Sequence, residues 1–120
     1  MRLFGLIGYP LTHSFSKKYF IEKFKKEGWR DCYYENFPIA SLVELKKILE
    51  QPALEGLNVT IPYKEQIIPY LHRSSALVKK INACNCIKIS NGKLLGFNTD
   101  VTGFEISIRT KLDPAIQRYA

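Results

Sequence analysis

Apolar positions recur along the chain with two alternating periods, and the switches between them divide it into short elements. Residues 1–8 (MRLFGLIG) form an apolar, β-compatible run that predicts a first, central strand. Gly8-Tyr9-Pro10 turns the chain, and Phe15, Tyr19, Phe20 and Phe24 then recur at helical spacing up to Gly28, a natural C-cap. Residues 31–38 (DCYYENFP) predict a second strand, aromatic and partly exposed. A second helix begins at Ser41, with Leu42, Leu45, Ile48 and Leu49 on one face and a Ser41/Glu44 capping box.

The third strand, residues 54–60, has two unlike faces. Leu57, Val59 and Ile61 alternate with Asn58 and Thr60, so those two polar side chains point the same way. Pro62 ends the strand, because proline cannot donate to a ladder, and opens a short helix that runs through Ile67 and Ile68 until Pro69 breaks it. A further short helix is predicted over 74–81 and a strand over 83–90. Asn91-Gly92 signals a hairpin, whose second strand covers 93–97. Asn98-Thr99-Asp100 closes that strand, and Asp100 reads as the N-cap of a helix over 101–112. Residues 113–120 read as a tail or the start of a linker.

Strand, helix, strand, helix, strand implies right-handed crossovers and a largely parallel sheet, to which the hairpin adds an antiparallel partner. The expected fold is a three-layer α/β open sheet, mostly parallel, with helices on both faces. At 120 residues it is one small domain.

Composition changes this picture little. The net charge of +7 is spread over lysine pairs such as Lys17-Lys18 and Lys79-Lys80 rather than gathered in a run, and no nucleic-acid-binding signature is visible; a small anionic substrate fits the charge equally well, so charge alone does not decide. An odd number of cysteines, three, with no signal peptide, points to a reducing cytoplasm rather than a disulfide framework. Cys84 and Cys86 share a strand face, but neither histidine offers a second ligand pair, so no metal is expected and the thiols read as small buried residues. No apolar run approaches the roughly 20 residues that span a bilayer.

Two places carry candidate chemistry. Lys64 lies in the first turn of the helix after strand 54–60, at the C-terminal rim where open α/β sheets hold ligands. A helix N-terminus disfavours a cation, so that field and partial burial would ready the amine for proton transfer. The plainer alternative is a solvated lysine. Ser14 and Ser16 fall at the start of the first helix, where serine is a common cap and where two hydroxyls beside free N–H groups also form a cradle for a carboxylate.

Four segments in order resemble the substrate-binding domain of shikimate dehydrogenases: Gly8-Tyr9-Pro10 with His13-Ser14-Phe15-Ser16; Asn58-Val59-Thr60-Ile61-Pro62-Tyr63-Lys64; Ile81-Asn82-Ala83-Cys84-Asn85; and Gly96-Phe97-Asn98-Thr99-Asp100 with Gly103-Phe104. The resemblance implies that Ser14 and Ser16 hold the substrate carboxylate, that Asn58, Thr60 and Asn85 surround the ring hydroxyls, and that Lys64 with Asp100 is the catalytic pair. The implied reaction interconverts shikimate and 3-dehydroshikimate with NADP in the cytoplasm, within aromatic amino acid biosynthesis. Quinate is the alternative substrate, and a non-catalytic module holding a small carboxylate is the alternative of another class.

Several positions depart from the family pattern. Lys17 stands where proline usually follows the serines, Tyr19-Phe20 replaces a His-Asn pair, and His72 replaces an aspartate. Asn82 stands for the glycine of Gly-Ala-Val-Asn-Thr, which bears on the backbone that aims Asn85. No Gly-x-Gly-x-x-Gly loop occurs anywhere, so residues 1–112 read as the substrate domain alone, with the NADP-binding Rossmann domain absent and the fragment inactive by itself. Exposed apolar surface left by missing parts then implies homodimerisation.

Overall fold

The computed structural model describes residues 1–12 and 14–99. His13, Asp100, the helix expected over 101–112 and the tail over 113–120 lie outside the described residues. Six strands, β1 (Arg2–Gly8), β2 (Cys32–Pro38), β3 (Leu54–Val59), β4 (Arg73–Ser74), β5 (Cys86–Ser90) and β6 (Lys93–Phe97), form one sheet in the order β2-β1-β3-β5-β6-β4. β1 runs parallel to β2 and β3, while β5 is antiparallel to both β3 and β6. The mostly parallel mixed sheet with an antiparallel pair follows the sequence reading. The described helices are α1 (Ser16–Lys26), α2 (Leu45–Leu49), α3 (Tyr63–Gln66) and α4 (Ala76–Ile81), with 3₁₀ turns at Leu42–Glu44 and Ile68–Tyr70.

Strand alternation divides the apolar residues between two layers. Leu3, Ile7, Leu57, Val59 and Ile87 face the larger core with Leu45, Ile48, Tyr63, Ile67 and Val78 from α2, α3, α4 and their connections. Phe4 and Leu6 face the other side and pack with Tyr34, Phe20 and Phe24 beneath α1. Phe20 stacks on Tyr34 with ring centroids 4.9 Å apart, and Tyr19 meets Phe20 edge-on at 5.0 Å. Phe20 therefore anchors α1 to the sheet, while Tyr19 is exposed.

Several boundaries differ from the expected ones. Ser41 caps a 3₁₀ turn rather than an α-helix, its Oγ accepting from the Val43 N–H at 3.2 Å, and Glu44 reaches back to the Ala40 N–H at 3.0 Å. Ser74 belongs not to a helix but to β4, a two-residue strand pairing parallel with β6, and Ser75 supplies the cap of α4. Residues 83–85 precede β5 instead of joining it. Backbone pairing explains the last two. The Ser75 N–H donates to the Gly96 carbonyl, and the Cys84 N–H donates to the Lys64 carbonyl at 2.7 Å instead of to a neighbouring strand.

Asn82 is the C-cap of α4 with φ 54° and ψ 43°, the left-handed region where glycine and then asparagine are the tolerated residues. Asparagine is thus a residue that this backbone conformation tolerates. Asn82→Ala is expected to lower stability in chemical denaturation by about 1 kcal/mol, and Asn82→Gly to leave it within about 0.5 kcal/mol.

Candidate functional site

The C-terminal ends of β1 and β3 meet the start of α1 at one edge of the sheet. Gly8 ends β1 so close to β3 that a Cβ there would stand against Thr60 Cγ2, with the Ile61 carbonyl and Leu11 Cδ2 each at 3.0 Å. Only glycine permits that approach. The Thr60 N–H donates to the Ile7 carbonyl at 2.9 Å and the Tyr9 N–H to the Ile61 carbonyl at 3.1 Å, tying the two strand exits together. The Tyr9–Pro10 and Ile61–Pro62 peptide bonds are both cis.

Between these exits and α1 lies a cavity of about 580 Å³. Ser14, Ser16 and Thr60 line it, with Leu6 at its floor and Tyr9, Phe15 and Ile61 among its walls. The last three are exposed, which gives the opening an apolar border. Ser14 Oγ accepts from the Ser16 N–H at 3.3 Å where α1 begins, and both serines line the cavity. The first turn of α1 contains no acidic residue, and the helix dipole adds a positive field there. Two hydroxyl donors and a helix start suit a carboxylate.

Asn58 lies on the same face of β3 but deeper. It is 8% exposed, and its Nδ2 donates to the Tyr34 hydroxyl at 2.7 Å. Tyr34 is almost fully buried on β2. Burial pushes its phenol pKa well up, and the hydrogen bond from Asn58 opposes that only in part. Sequence reasoning missed Tyr34. The available signal was its place at an even position of β2, in register with Phe4 and two residues from Asn36, across from Leu6.

A second group gathers at the end of β3 on the side of β5. The Val59 N–H donates to the Asn85 carbonyl at 2.9 Å, and Asn85 Oδ1 accepts from the Thr99 N–H at 2.8 Å and its hydroxyl at 3.2 Å. Asn98 Nδ2 donates to the Ala83 carbonyl at 3.0 Å. These bonds fix the chain immediately before Asp100. Lys64, in the first turn of α3, is half-buried and joined to this segment through its carbonyl and the Cys84 N–H. Ser14, Ser16 and Thr60 thus share one cavity, while Lys64 and Asn85 stand beside its Thr60 edge without lining it, and Asn58 supports it from below.

The cysteines carry no obvious chemistry. Cys84 is fully buried, its thiol donates to the Cys86 carbonyl at 3.4 Å, and burial raises its pKa. No three His, Cys, Asp or Glu side chains come together among the described residues. Among the same residues no helix is long and apolar enough to cross a membrane. Two departures from the family pattern find local partners: Lys17 pairs with Glu35 at 3.4 Å, and His72 Nδ1 accepts from the Leu94 N–H at 3.0 Å.

A family model described as the shikimate dehydrogenase substrate binding domain matches residues 6–87, which include every one of these site residues except Asn98, Thr99 and Asp100. The chain belongs to that family. It is 44% identical over 115 residues to a shikimate dehydrogenase (NADP(+)) of Syntrophomonas wolfei subsp. wolfei, covering 93% of this chain and 39% of that protein. Its fold superimposes on a shikimate dehydrogenase of Peptoclostridium difficile with a TM-score of 0.78 at 34% identity, over 92% of this chain and 41% of the other. A shikimate dehydrogenase of Thermus thermophilus, solved in complex with shikimate, matches with a TM-score of 0.77 at 30% identity, over 92% and 42%. The chain spans about two fifths of the length of the curated relatives it matches. Membership of the shikimate dehydrogenase family agrees with the rim where the serines and Thr60 meet.

Proposed function

We propose that this chain is the substrate-binding domain of an NADP-dependent shikimate dehydrogenase and that its cavity takes shikimate or 3-dehydroshikimate. The observation that carries this reading is the convergence of Ser14, Ser16 and Thr60 on one cavity at the sheet rim. The serines hold the carboxylate and Thr60 a ring hydroxyl; Asn85 contributes from the neighbouring segment, and Asn58 supports the site from within the sheet. Lys64, one turn beyond Thr60, and Asp100, which directly follows the anchored Thr99, form the acid–base pair for the hydroxyl that becomes a ketone.

The hydride acceptor in this reading is NADP. No residues here fit a dinucleotide, since the chain has no glycine-rich phosphate loop, and the cofactor is assigned to a further domain of the parent protein. The apolar border formed by Tyr9, Phe15 and Ile61 supports a second protein surface closing over the cavity. In the 120-residue chain alone the same border favours homodimerisation, and a concentration-independent monomer in sedimentation would argue against that.

Titration with shikimate followed by amide NMR tests the assignment. Shifts are expected at Ser14, Ser16 and Thr60, and they are expected to disappear in the Ser14→Ala/Ser16→Ala double variant, because each lost charge-assisted hydrogen bond weakens binding by about tenfold or more. Larger shifts with quinate would reassign the substrate. In the full-length protein, binding without any NADP-linked turnover would leave a carboxylate-holding module instead of an enzyme.

A further inference from the structure

We propose that the cavity at the β4 edge of the sheet is a second anion site, built for a phosphate group. It has a volume of about 500 Å³ and is lined by Leu71, His72, Arg73, Ser74 and Lys79, none of which lines the cavity beside α1. All of these side chains but that of Leu71 can donate hydrogen bonds, and no acidic residue lies among them. Arg73 and Lys79 are exposed, and neither makes an ion pair among the described residues, whereas Arg2, Lys17 and Lys23 each face a glutamate. Two like charges sharing one wall repel each other, and a dianion between them turns that repulsion into attraction.

The backbone that carries these donors is braced. Arg73 and Ser74 pair in register with Leu95 and Gly96 of β6. The His72 N–H donates to the Leu94 carbonyl at 2.9 Å, the Ser75 N–H to the Gly96 carbonyl at 2.9 Å, and the Lys79 N–H to the Ser75 carbonyl at 3.1 Å. Binding therefore has side chains to order but little backbone. His72 decides the sign of the site. Its Nδ1 accepts from the Leu94 N–H at 3.0 Å, which leaves the ring proton on Nε2. The aspartate that the family resemblance places here could accept from the same N–H, but it would bring a negative charge to the wall. This chain keeps the acceptor and exchanges the carboxylate for an N–H donor. A phosphate group, with about −1.5 to −2 charges and three strong acceptor oxygens at neutral pH, suits two cations, a hydroxyl and an imidazole N–H better than a singly charged carboxylate does.

Titration of the full-length parent protein with inorganic phosphate at constant ionic strength, followed through the amide signals of His72, Arg73, Ser74 and Lys79, tests this. Reading those residues individually sets aside any phosphate held by a cofactor site elsewhere in the parent. Saturable shifts are expected with a Kd on the order of 1 mM, the same within about threefold when shikimate is present. The Arg73→Gln/Lys79→Gln double variant is expected to bind at least about tenfold more weakly, because two charge-assisted bonds are lost. His72→Asp is expected to weaken binding by about tenfold as well while keeping the fold, since its carboxylate can take the Leu94 N–H. Unchanged affinity in either variant would overturn the proposal. So would shifts that grow without saturation, shifts abolished by shikimate, or equal shifts with acetate. Shifts with a DNA duplex but none with phosphate would also overturn it and make the patch a nucleic-acid contact. Phenyl phosphate separates the two sources of the group: tighter binding than inorganic phosphate assigns the site to a small phosphorylated metabolite, and equal or weaker binding assigns it to free phosphate.

Discussion

Lys64→Ala in the full-length parent of this chain is expected to lower turnover by about 10²-fold or more while leaving substrate affinity nearly unchanged. The main chain at this position is fixed independently of the amine. The Lys64 carbonyl accepts from the Cys84 N–H at 2.7 Å, and the turn that starts α3 closes through the Tyr63 N–H and the Thr60 carbonyl at 3.0 Å. Removing the side chain beyond Cβ leaves those bonds in place, so Thr60 keeps its position and the carboxylate cradle is untouched. What disappears is a group able to exchange a proton with the reacting hydroxyl. Undiminished turnover would refute the assigned role. A matching loss of affinity and turnover would make Lys64 a binding residue rather than a proton carrier. Thermal unfolding of the variant is expected to stay close to that of the unmutated protein, which separates either outcome from misfolding.

The parts of the site legible in the sequence were those whose meaning is local. Leu57, Val59, Asn58 and Thr60 alternate, and the alternation alone places the two polar residues on one face of β3. Pro62 after that strand and serines before the phenylalanine stripe likewise mark element ends by their own backbone chemistry. The sheet order, by contrast, depends on which strands meet, and nothing local announces that β4 would form from two residues beside β6. Asn58 shows the same limit within the site. Its face was readable, but its depth was not, because depth comes from β2 and α1 closing over it and from a phenol 24 residues away in the chain. Tyr34 itself looked like one aromatic among several in residues 31–38. Asn82 was a doubt in the sequence that the structure resolves by a backbone angle, since an asparagine with φ 54° does what the missing glycine would do.

Leu57→Ala is expected to cost about 2–5 kcal/mol of folding stability, the range for truncating a fully buried leucine in a packed core. Leu57 is completely inaccessible and touches the larger core layer with Ile7, Val59 and Ile87. Native domains have only about 5–15 kcal/mol in hand, so the loss is a large share of the total and the melting temperature is expected to fall by about 10 °C or more. Ligand affinity of the molecules that remain folded should hold within about threefold. The reason is the same alternation that defines β3: Leu57 points to one layer, whereas Asn58 and Thr60 point to the other, toward Tyr34 and the serines of α1. A cavity opened on the far side of the sheet does not shorten or lengthen the Asn58–Tyr34 bond. If affinity instead falls in step with stability, the two layers are mechanically coupled through β3, and the cavity beside α1 depends on the core beneath the opposite face.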